Sequence, residues 1–317
     1  MPAPLPVAGA VRCGMVVAEA AREPARTLAR RCEELGFDSL WAGDHIAFRV
    51  PILESLSLLS FLAGATERVL LGTSVYLLPL RRPAIAAKSV ATLDVLSGGR
   101  AILGVGVGGE FPPEFDACGV PRAERGSRTD EGIEILRRLW SEDAVEHRGR
   151  HFSFGPVSMD PKPVQAGGPP IWIGGRRPPA FRRAGRLGDG YISHMCAPDT
   201  YRSNLETIAG HAEAAGRKLE RFDTAAFLFT SLDDDYETAL DRAASVLASV
   251  YGRPVEQFRE TAPRYLLLGR PEDCLEQMRL FSTAGVRHFV LSPLSDPKTF
   301  AERVGAEILP ELSALAG

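Results

Sequence analysis

The stretch Leu93-Asp94-Val95-Leu96-Ser97-Gly98-Gly99-Arg100-Ala101-Ile102-Leu103-Gly104-Val105-Gly106-Val107-Gly108-Gly109 packs a helix end, a turn, a strand and a glycine-rich exit into seventeen residues. Pro83 suits the first turn of a helix, and the pattern that follows carries it to Ser97. Gly98-Gly99 stops it, because glycine accepts the left-handed conformation that closes helices. Residues 101–105 are too few for a helix and too apolar for a surface loop, so they read as a buried strand. A helix feeding a buried strand through a short glycine turn is the joint of a parallel α/β sheet.

The same rhythm runs outward in both directions. Residues 11–17, 39–42, 69–75, 101–105, 171–173, 191–193, 224–230 and 288–291 read as eight strands. Helical patterns at 24–35, 54–65, 83–97, 127–140, 178–187, 199–215, 236–251 and 272–284 alternate with them. Eight such units favour closure into a (β/α)8 TIM barrel over an open doubly wound sheet. One connection breaks the alternation: about 60 residues separate strand four from strand five. This insertion, about 107–169, holds Pro112-Pro113, the 127–140 helix, a hairpin at 144–154 turning at Gly149, and the proline-rich stretch 160–170. It leaves the C-terminal end of a barrel strand, where barrel enzymes keep their sites, and reads as a lid. The whole of 1–317 reads as one domain.

Composition sets the class. The 317 residues carry a formal net charge of −3, with 24% charged and 45% hydrophobic residues. That supports a large core and argues against disorder. No basic surplus points to nucleic acid, and no run of about 18 apolar residues would span a membrane. Five cysteines, at 13, 32, 118, 196 and 274, are odd in number, widely spaced and without a CxxC. Neither a disulfide framework nor a zinc site is expected. Residues 1–6 lack the basic and apolar regions of a signal peptide. The expectation is a cytoplasmic enzyme with reduced thiols and no bound metal.

The chemistry-bearing residues fall at strand ends. Asp44-His45 follow the second strand, where His45 suits proton transfer near neutral pH and Asp44 can orient it or hold a ligand. Thr73 and Ser74 end the third strand and offer hydroxyls to a flat heterocycle. Gly104-Val105-Gly106-Val107-Gly108-Gly109 matches GxGxxG, but Glu110-Phe111-Pro112-Pro113 follows where a dinucleotide site needs a helix to open. The glycines therefore read as room for something planar, with Glu110 and Glu114 as candidate proton carriers beyond them. Ile173-Gly174-Gly175-Arg176-Arg177-Pro178 joins the fifth strand to its helix and reads as a phosphate cradle. His194, after strand six, and Phe48 and Phe111 are candidates for the substrate pocket wall. His147 and His151 flank a turn and are assigned no metal.

Taken in order, Gly-Phe-Asp-Ser-Leu-Trp-(x)2-Asp-His, Leu-Gly-Thr-Ser-Val, Pro-Ala-(x)2-Ala-Lys-(x)4-Leu-Asp-(x)2-Ser-Gly-Gly-Arg, Gly-Val-Gly-Val-Gly and Ile-Trp-Ile-Gly-Gly resemble the bacterial luciferase-like flavin and deazaflavin oxidoreductases. The resemblance covers about residues 12–310. It implies a (β/α)8 barrel with a long insertion after strand four, F420 or FMN as cofactor, and a homodimer. Thr73-Ser74-Val75 and Asp44-His45 resemble the F420-dependent branch. There the resemblance implies a cis peptide bond at Ser74–Val75 backing the ring, the ring near Ser74, Val75, Gly106, Val107 and Gly108, and the phosphate on Gly174, Gly175 and Arg176.

In the sugar-phosphate dehydrogenases of that branch the matching histidine is an acid–base, and a glutamate after the glycine run protonates the ring. His45 matches. Glu110 stands one residue late, since Gly109 holds the matching position, and Glu114 is its rival. Arg49 replaces an expected tryptophan, and Ser193-His194-Met195-Cys196-Ala197-Pro198 lacks the lysine that would hold a sugar phosphate. The expectation is thus an F420-dependent oxidoreductase moving a hydride to or from a small organic substrate other than glucose 6-phosphate. Two readings stand behind it: an FMN-dependent monooxygenase fed by a separate flavin reductase, and a non-catalytic flavin-binding protein. Across these readings the expected partners are a small-molecule substrate and a separate flavin or F420 reductase.

Overall fold

Gly14 and Gly72 leave the space that Trp41 fills: a Cβ on Gly72 would stand 2.2 Å from the indole, and one on Gly14 2.0 Å from Ser39 Oγ. The computed structural model describes residues 4–7, 9–18 and 21–315. Part of the 1–6 segment on which the leader reading rests, and the outermost ends of the 1–317 domain, lie outside these residues. The first half of the fold runs β1 (Arg12–Val16), α1 (Arg22–Leu35), β2 (Ser39–Ala42), α2 (Ser55–Ala63), β3 (Leu70–Thr73), β4 (Tyr76–Leu77), α3 (Pro83–Ser97) and β5 (Ala101–Gly106). Then come α4 (Pro112–Ala117), α5 (Arg125–Ser141) and the hairpin β6 (Val145–Arg148) with β7 (Ser153–Val157). The second half is β8 (Ile171–Gly174), α6 (Pro178–Leu187), β9 (Gly190–His194), α7 (Pro198–Ala214), β10 (Asp223–Leu232), α8 (Tyr236–Tyr251), α9 (Val255–Tyr265), β11 (Leu267–Gly269), α10 (Pro271–Thr283), β12 (His288–Pro293) and α11 (Pro297–Glu307).

The strands close a parallel ring. β1 pairs with β12 and β2, β2 with β3, β3 with β5, β5 with β8, β8 with β9, β9 with β10, and β10 with β12. Such strands are covered on both faces, which is why they read as apolar runs rather than alternations. β4 resumes the third strand after an interruption at Ser74–Val75 and pairs with β5. The fold is the expected (β/α)8 barrel. α3 ends at Gly98 with φ +65°, and α1 at Gly36 with φ +94°, as their stop signals indicate.

Inside the ring Trp41 and Trp172 pack 5.2 Å apart, with His288 edge-on to both. Trp41 Nε1 donates to Ser39 Oγ at 2.7 Å, leaving the hydroxyl free to donate to His288 Nε2 at 2.6 Å. That polar chain is enclosed by Val16, Ile102, Ile192 and Val290.

Two connections differ from the sequence reading. The 107–169 insertion does not form one lid. Only its opening, through α4 to Glu124, sits at the barrel mouth. α5 is a ring helix packed between α3 and α6, and the β6–β7 hairpin docks back onto it. Glu131 accepts from the amides of His151 and Phe152 and pairs with His147, while His151 contacts Ser127 and Glu124. Residues 160–170 cross the opposite end, where Gln165 bonds Asp94 and the Ala101 carbonyl.

The second difference follows β10. Residues 236–251 and 255–265 form a helical hairpin closed by Leu240, Ala244, Leu247, Phe258 and Ala262. The seventh and eighth ring helices are α10 and α11. The expected eight helices therefore counted α8 in place of α11.

Candidate active site

The C-terminal strand ends surround a cavity of about 350 Å³. Asp44, His45, Phe48, Ser74, Val75, Gly106, Val107, Gly108, Glu110, Gly174, Gly175, Arg176 and His194 all line it, so residues from five separate strand ends converge. Thr73 and Phe111 are not in the wall. The Thr73 hydroxyl is buried and donates to the Gly104 carbonyl at 2.8 Å, which ties β3 to β5. Phe111 instead packs edge-on against Phe48, ring centroids 6.0 Å apart. A polar cavity of about 580 Å³ opens at the other end of the barrel, lined by Arg12, Arg137, Asp189, Asp223 and Arg287. Barrel enzymes act at the C-terminal end of their strands, so the chemistry is sought in the smaller one.

His45 leaves β2 and stacks flat on Phe48, with ring centroids 4.0 Å apart and 13° between planes. Its Nδ1 lies 3.1 Å from Oε2 and 3.2 Å from Oε1 of Glu114, a carboxylate with no exposed surface. The Ile46 amide also donates to Glu114, at 3.2 Å. With Glu114 ionised, the proton of a neutral ring sits on Nδ1, and Nε2 is left as the acceptor. Glu114 stands in the first turn of α4, so Pro112 at N1 fixes the helix that carries it. Of the two glutamates proposed from sequence, the structure brings Glu114 to His45. Glu110 is half exposed and faces Arg176 at 3.9 Å.

Asp44 is fully engaged with protein groups. Arg81 grips its carboxylate with two bonds of 2.6 and 2.7 Å, and Leu77 N and Ser55 Oγ occupy the remaining positions at 2.8 and 3.2 Å. It clamps the β2 exit to the β4 segment, and it has no oxygen to spare for a ligand. Arg81 lies over the Tyr76 ring at 4.5 Å. Sequence reasoning missed Arg81, since one arginine ahead of a helix carries no pattern.

The Ser74–Val75 peptide bond is cis. The Val75 side chain fills a groove left by glycines: a Cβ on Gly106 or Gly174 would meet it at 2.3 or 2.7 Å, and one on Gly104 would meet the Thr73 carbonyl at 1.9 Å. These glycines admit the bend in strand three, and only through it would they serve a planar ligand. Ser74 Oγ is buried at this bend with no hydrogen-bond partner among the described residues. A buried hydroxyl left unmatched in a cavity wall fits a polar ligand edge.

At the far side Gly175, φ +141°, and Arg176 precede α6, whose first amides have no partner within the helix. Tyr191 donates to the Gly175 carbonyl at 2.8 Å and fixes the turn. His194 stands among Phe227, Phe229 and Tyr251, with Tyr251 Oη 3.4 Å from its Nε2. Burial, modulated by Glu110 and Arg176, pushes its pKa down to about 4, so the ring is neutral. Tyr251 comes from the helical hairpin that sequence reasoning took for a ring helix. Pro254 followed by Val255, Phe258 and Ala262 at helical spacing was the available signal. Trp41 is sealed one layer below the cavity. Among the described residues no three His, Cys, Asp or Glu side chains are grouped to hold a metal, and no helix is long and apolar enough to cross a membrane.

A closed parallel barrel with a bent third strand, a histidine–glutamate pair and a glycine–arginine turn at one mouth defines a class. Residues 7–309 match the family model for luciferase-like monooxygenases, and the chain belongs to that family. The F420-dependent glucose-6-phosphate dehydrogenase of Nakamurella multipartita is 32% identical over 319 residues, spanning 92% of each chain. The 5,10-methylenetetrahydromethanopterin reductase of Archaeoglobus fulgidus is 30% identical over 317 residues, spanning 88% of this chain and 93% of its own. An F420-dependent secondary alcohol dehydrogenase solved with an F420-acetone adduct superposes with a TM-score of 0.84 at 23% identity, covering 98% of this chain and 100% of its own.

Proposed function

We propose that the chain is an F420-dependent oxidoreductase that moves a hydride between the deazaflavin and a small organic substrate. The observation that carries this reading is the His45–Glu114 pair at a cavity whose wall also holds the unmatched Ser74 hydroxyl. The names of the curated relatives support the deazaflavin over FMN. The unmatched Ser74 hydroxyl, Val75 and the backbone of residues 106–108 would hold the ring, and Gly174, Gly175, Arg176 and the start of α6 the phosphate. When bound, the deazaflavin supplies the two-electron step as hydride donor or acceptor.

The protein's part is position and proton. His45 Nε2 takes a proton from a substrate oxygen during oxidation, or returns it during reduction. Glu114 fixes the tautomer and stabilises the imidazolium formed. Asp44 acts through structure, holding the residue 43–45 turn against β4. Phe48 and the 107–124 segment exclude water. A homodimer is what the family resemblance implies, a cytoplasmic setting is what the unpaired, widely spaced cysteines imply, and a separate flavin or F420 reductase would renew the cofactor.

Titration of the purified chain with F420 and with FMN tests the reading, followed by the signal of each cofactor. F420 binding tighter than FMN is the expected result. FMN binding without F420 binding, together with oxygen consumption on reduced FMN, overturns it in favour of the monooxygenase.

A further inference from the structure

We propose that the polar cavity at the N-terminal mouth of the barrel is a binding site for a small phosphate ester, held by Arg12, Arg287 and the ring N–H of His288. It lies at the opposite end of the barrel from the candidate active site and stands independently of the proposed function.

Strand alternation builds this mouth. On β1, Cys13 and Met15 pack outward beneath the helices, so Arg12 falls on the inward face with Gly14 and Val16. His288 stands opposite Arg12 in the β1–β12 register and shares the inward face of β12 with Val290. Leu70 and Ile102 lay an apolar floor beside them. The space, about 580 Å³, is of the size that takes a small organic ligand and is larger than a bare phosphate ion needs.

Positive charge is left over in the wall. Arg137 is spent on Asp189 at 2.8 Å, and Arg221 on Asp223, also at 2.8 Å. Arg12 and Arg287, which line the same space, have no carboxylate within ion-pair distance among the described residues. The Asp38 carboxylate feels Arg12 but is spent on the Cys13 amide at 2.8 Å. Arg287 uses Nη1 on the Ser282 and Val286 carbonyls, which fixes the side chain and leaves its other donors open. Two guanidiniums without a counter-ion match the charge of a phosphate dianion, and their planar forks suit its oxygens. His288 supplies a neutral donor. The Ser39 hydroxyl, which accepts from Trp41, gives its own hydrogen to Nε2, so the ring proton sits on Nδ1. The ring is 4% exposed, lines the cavity, and has no partner for Nδ1 among the described residues. Burial and the nearby Arg12 keep it neutral, so it donates without adding charge. A buried donor left open in a cation-lined wall calls for an acceptor.

The experiment titrates phenyl phosphate, inorganic phosphate and benzoate into the full chain by calorimetry at about pH 7.5, where a phosphate ester is a dianion. Phenyl phosphate is expected to bind more tightly than inorganic phosphate, because its ring covers Leu70 and Ile102, and at least about 10-fold more tightly than the singly charged benzoate. Arg12→Gln combined with Arg287→Gln is expected to weaken phenyl phosphate at least about 10-fold, while Arg176→Gln, at the opposite mouth, leaves its affinity within about 2-fold. Arg287 also holds two carbonyls, so Arg12→Gln alone guards against a folding defect. That side chain has no hydrogen bond to lose among the described residues, and its removal is expected to weaken binding at least about 3-fold. Loss of binding in Arg176→Gln with the double variant unaffected places the phosphate at the other mouth and overturns the proposal. Absence of phenyl phosphate binding, equal affinity for benzoate, or unchanged affinity in both Arg12 variants overturns it as well.

Discussion

Nδ1 of His45 lies 3.1 Å from Oε2 of Glu114, and the two residues reach each other from different loops, 69 positions apart in the chain. The histidine ring is held on its other face by Phe48. The pair is therefore preorganised by packing before any ligand arrives.

Removing the imidazole tests its role directly. His45→Ala should lower kcat by about 10²–10⁴-fold, the usual worth of a positioned acid–base group. Glu114→Gln should fall in the same direction by a smaller factor and distort the pH–rate profile, because the imidazolium loses its counter-charge. Glu110→Gln should change kcat by less than about 3-fold, since an exposed pair at 3.9 Å contributes little. Steady-state kinetics on the three variants separates the two glutamates.

The Asp44–Arg81 clamp is a stability feature. Neither side chain is more than 11% exposed. Arg81→Met leaves the carboxylate buried without its partner and should cost about 3–5 kcal/mol of unfolding free energy. The double variant Asp44→Leu with Arg81→Met should cost less than the two single losses added together. Urea denaturation of the four proteins checks both statements.

His288 gives the barrel interior an acid limit. Burial, with Arg12 adding to it, pushes its pKa from 6.5 down to about 3. The folded-state value lies below the unfolded one, so the unfolded chain binds the extra proton. Stability from this ring is complete above about pH 6.5 and is lost progressively toward pH 3. Between pH 7.5 and 5 the loss should be about 2 kcal/mol, from about 1.4 kcal/mol for each pKa unit. His288→Gln should be less stable at pH 7.5 and should show a flatter decline. Urea unfolding at a series of pH values reads the slope.

The glycines behind Val75 differ from those in open space. Gly106→Ala places a methyl 2.3 Å from Val75 Cγ2, and Gly104→Ala one 1.9 Å from the Thr73 carbonyl. Each should destabilise by about 1–3 kcal/mol or more as the strand bend is forced away, and each should weaken F420 binding. Gly155→Ala, on the β6–β7 hairpin away from the cavity, meets nothing within 4 Å and should leave both unchanged. Thermal unfolding and cofactor titration together distinguish the cases.

Much of the architecture was legible because parallel barrel strands are buried on both faces and stand out as short apolar runs between glycines. β5 is the clearest case, bounded by Gly98-Gly99 and by the 104–109 run. What escaped was set by tertiary choice. A helix such as α8 has the same apolar stripe whether it lies in the ring or folds back on α9, so its pattern could not tell the two apart. The site divided along the same line. His45, Ser74, Gly174 and Arg176 sit on strand ends, where register alone aims them at the mouth. Glu114 depended on the path of the loop from Val107 to α4, and Tyr251 on the hairpin, so neither could be placed by spacing. Asp44 and Thr73 sit at strand ends too, but their oxygens are consumed by Arg81 and by the Gly104 carbonyl.

The helical hairpin of residues 236–265 enters and leaves the barrel beside the paired ends of β10 and β11. The proton-handling residues lie elsewhere, after β2 and after β5. One part of the cavity wall, Val250 with Tyr251, and the His45–Glu114 pair are thus carried on physically separable modules of one scaffold. A lineage, or an engineer, can exchange the hairpin and retarget the enzyme while the reaction centre stays as it is.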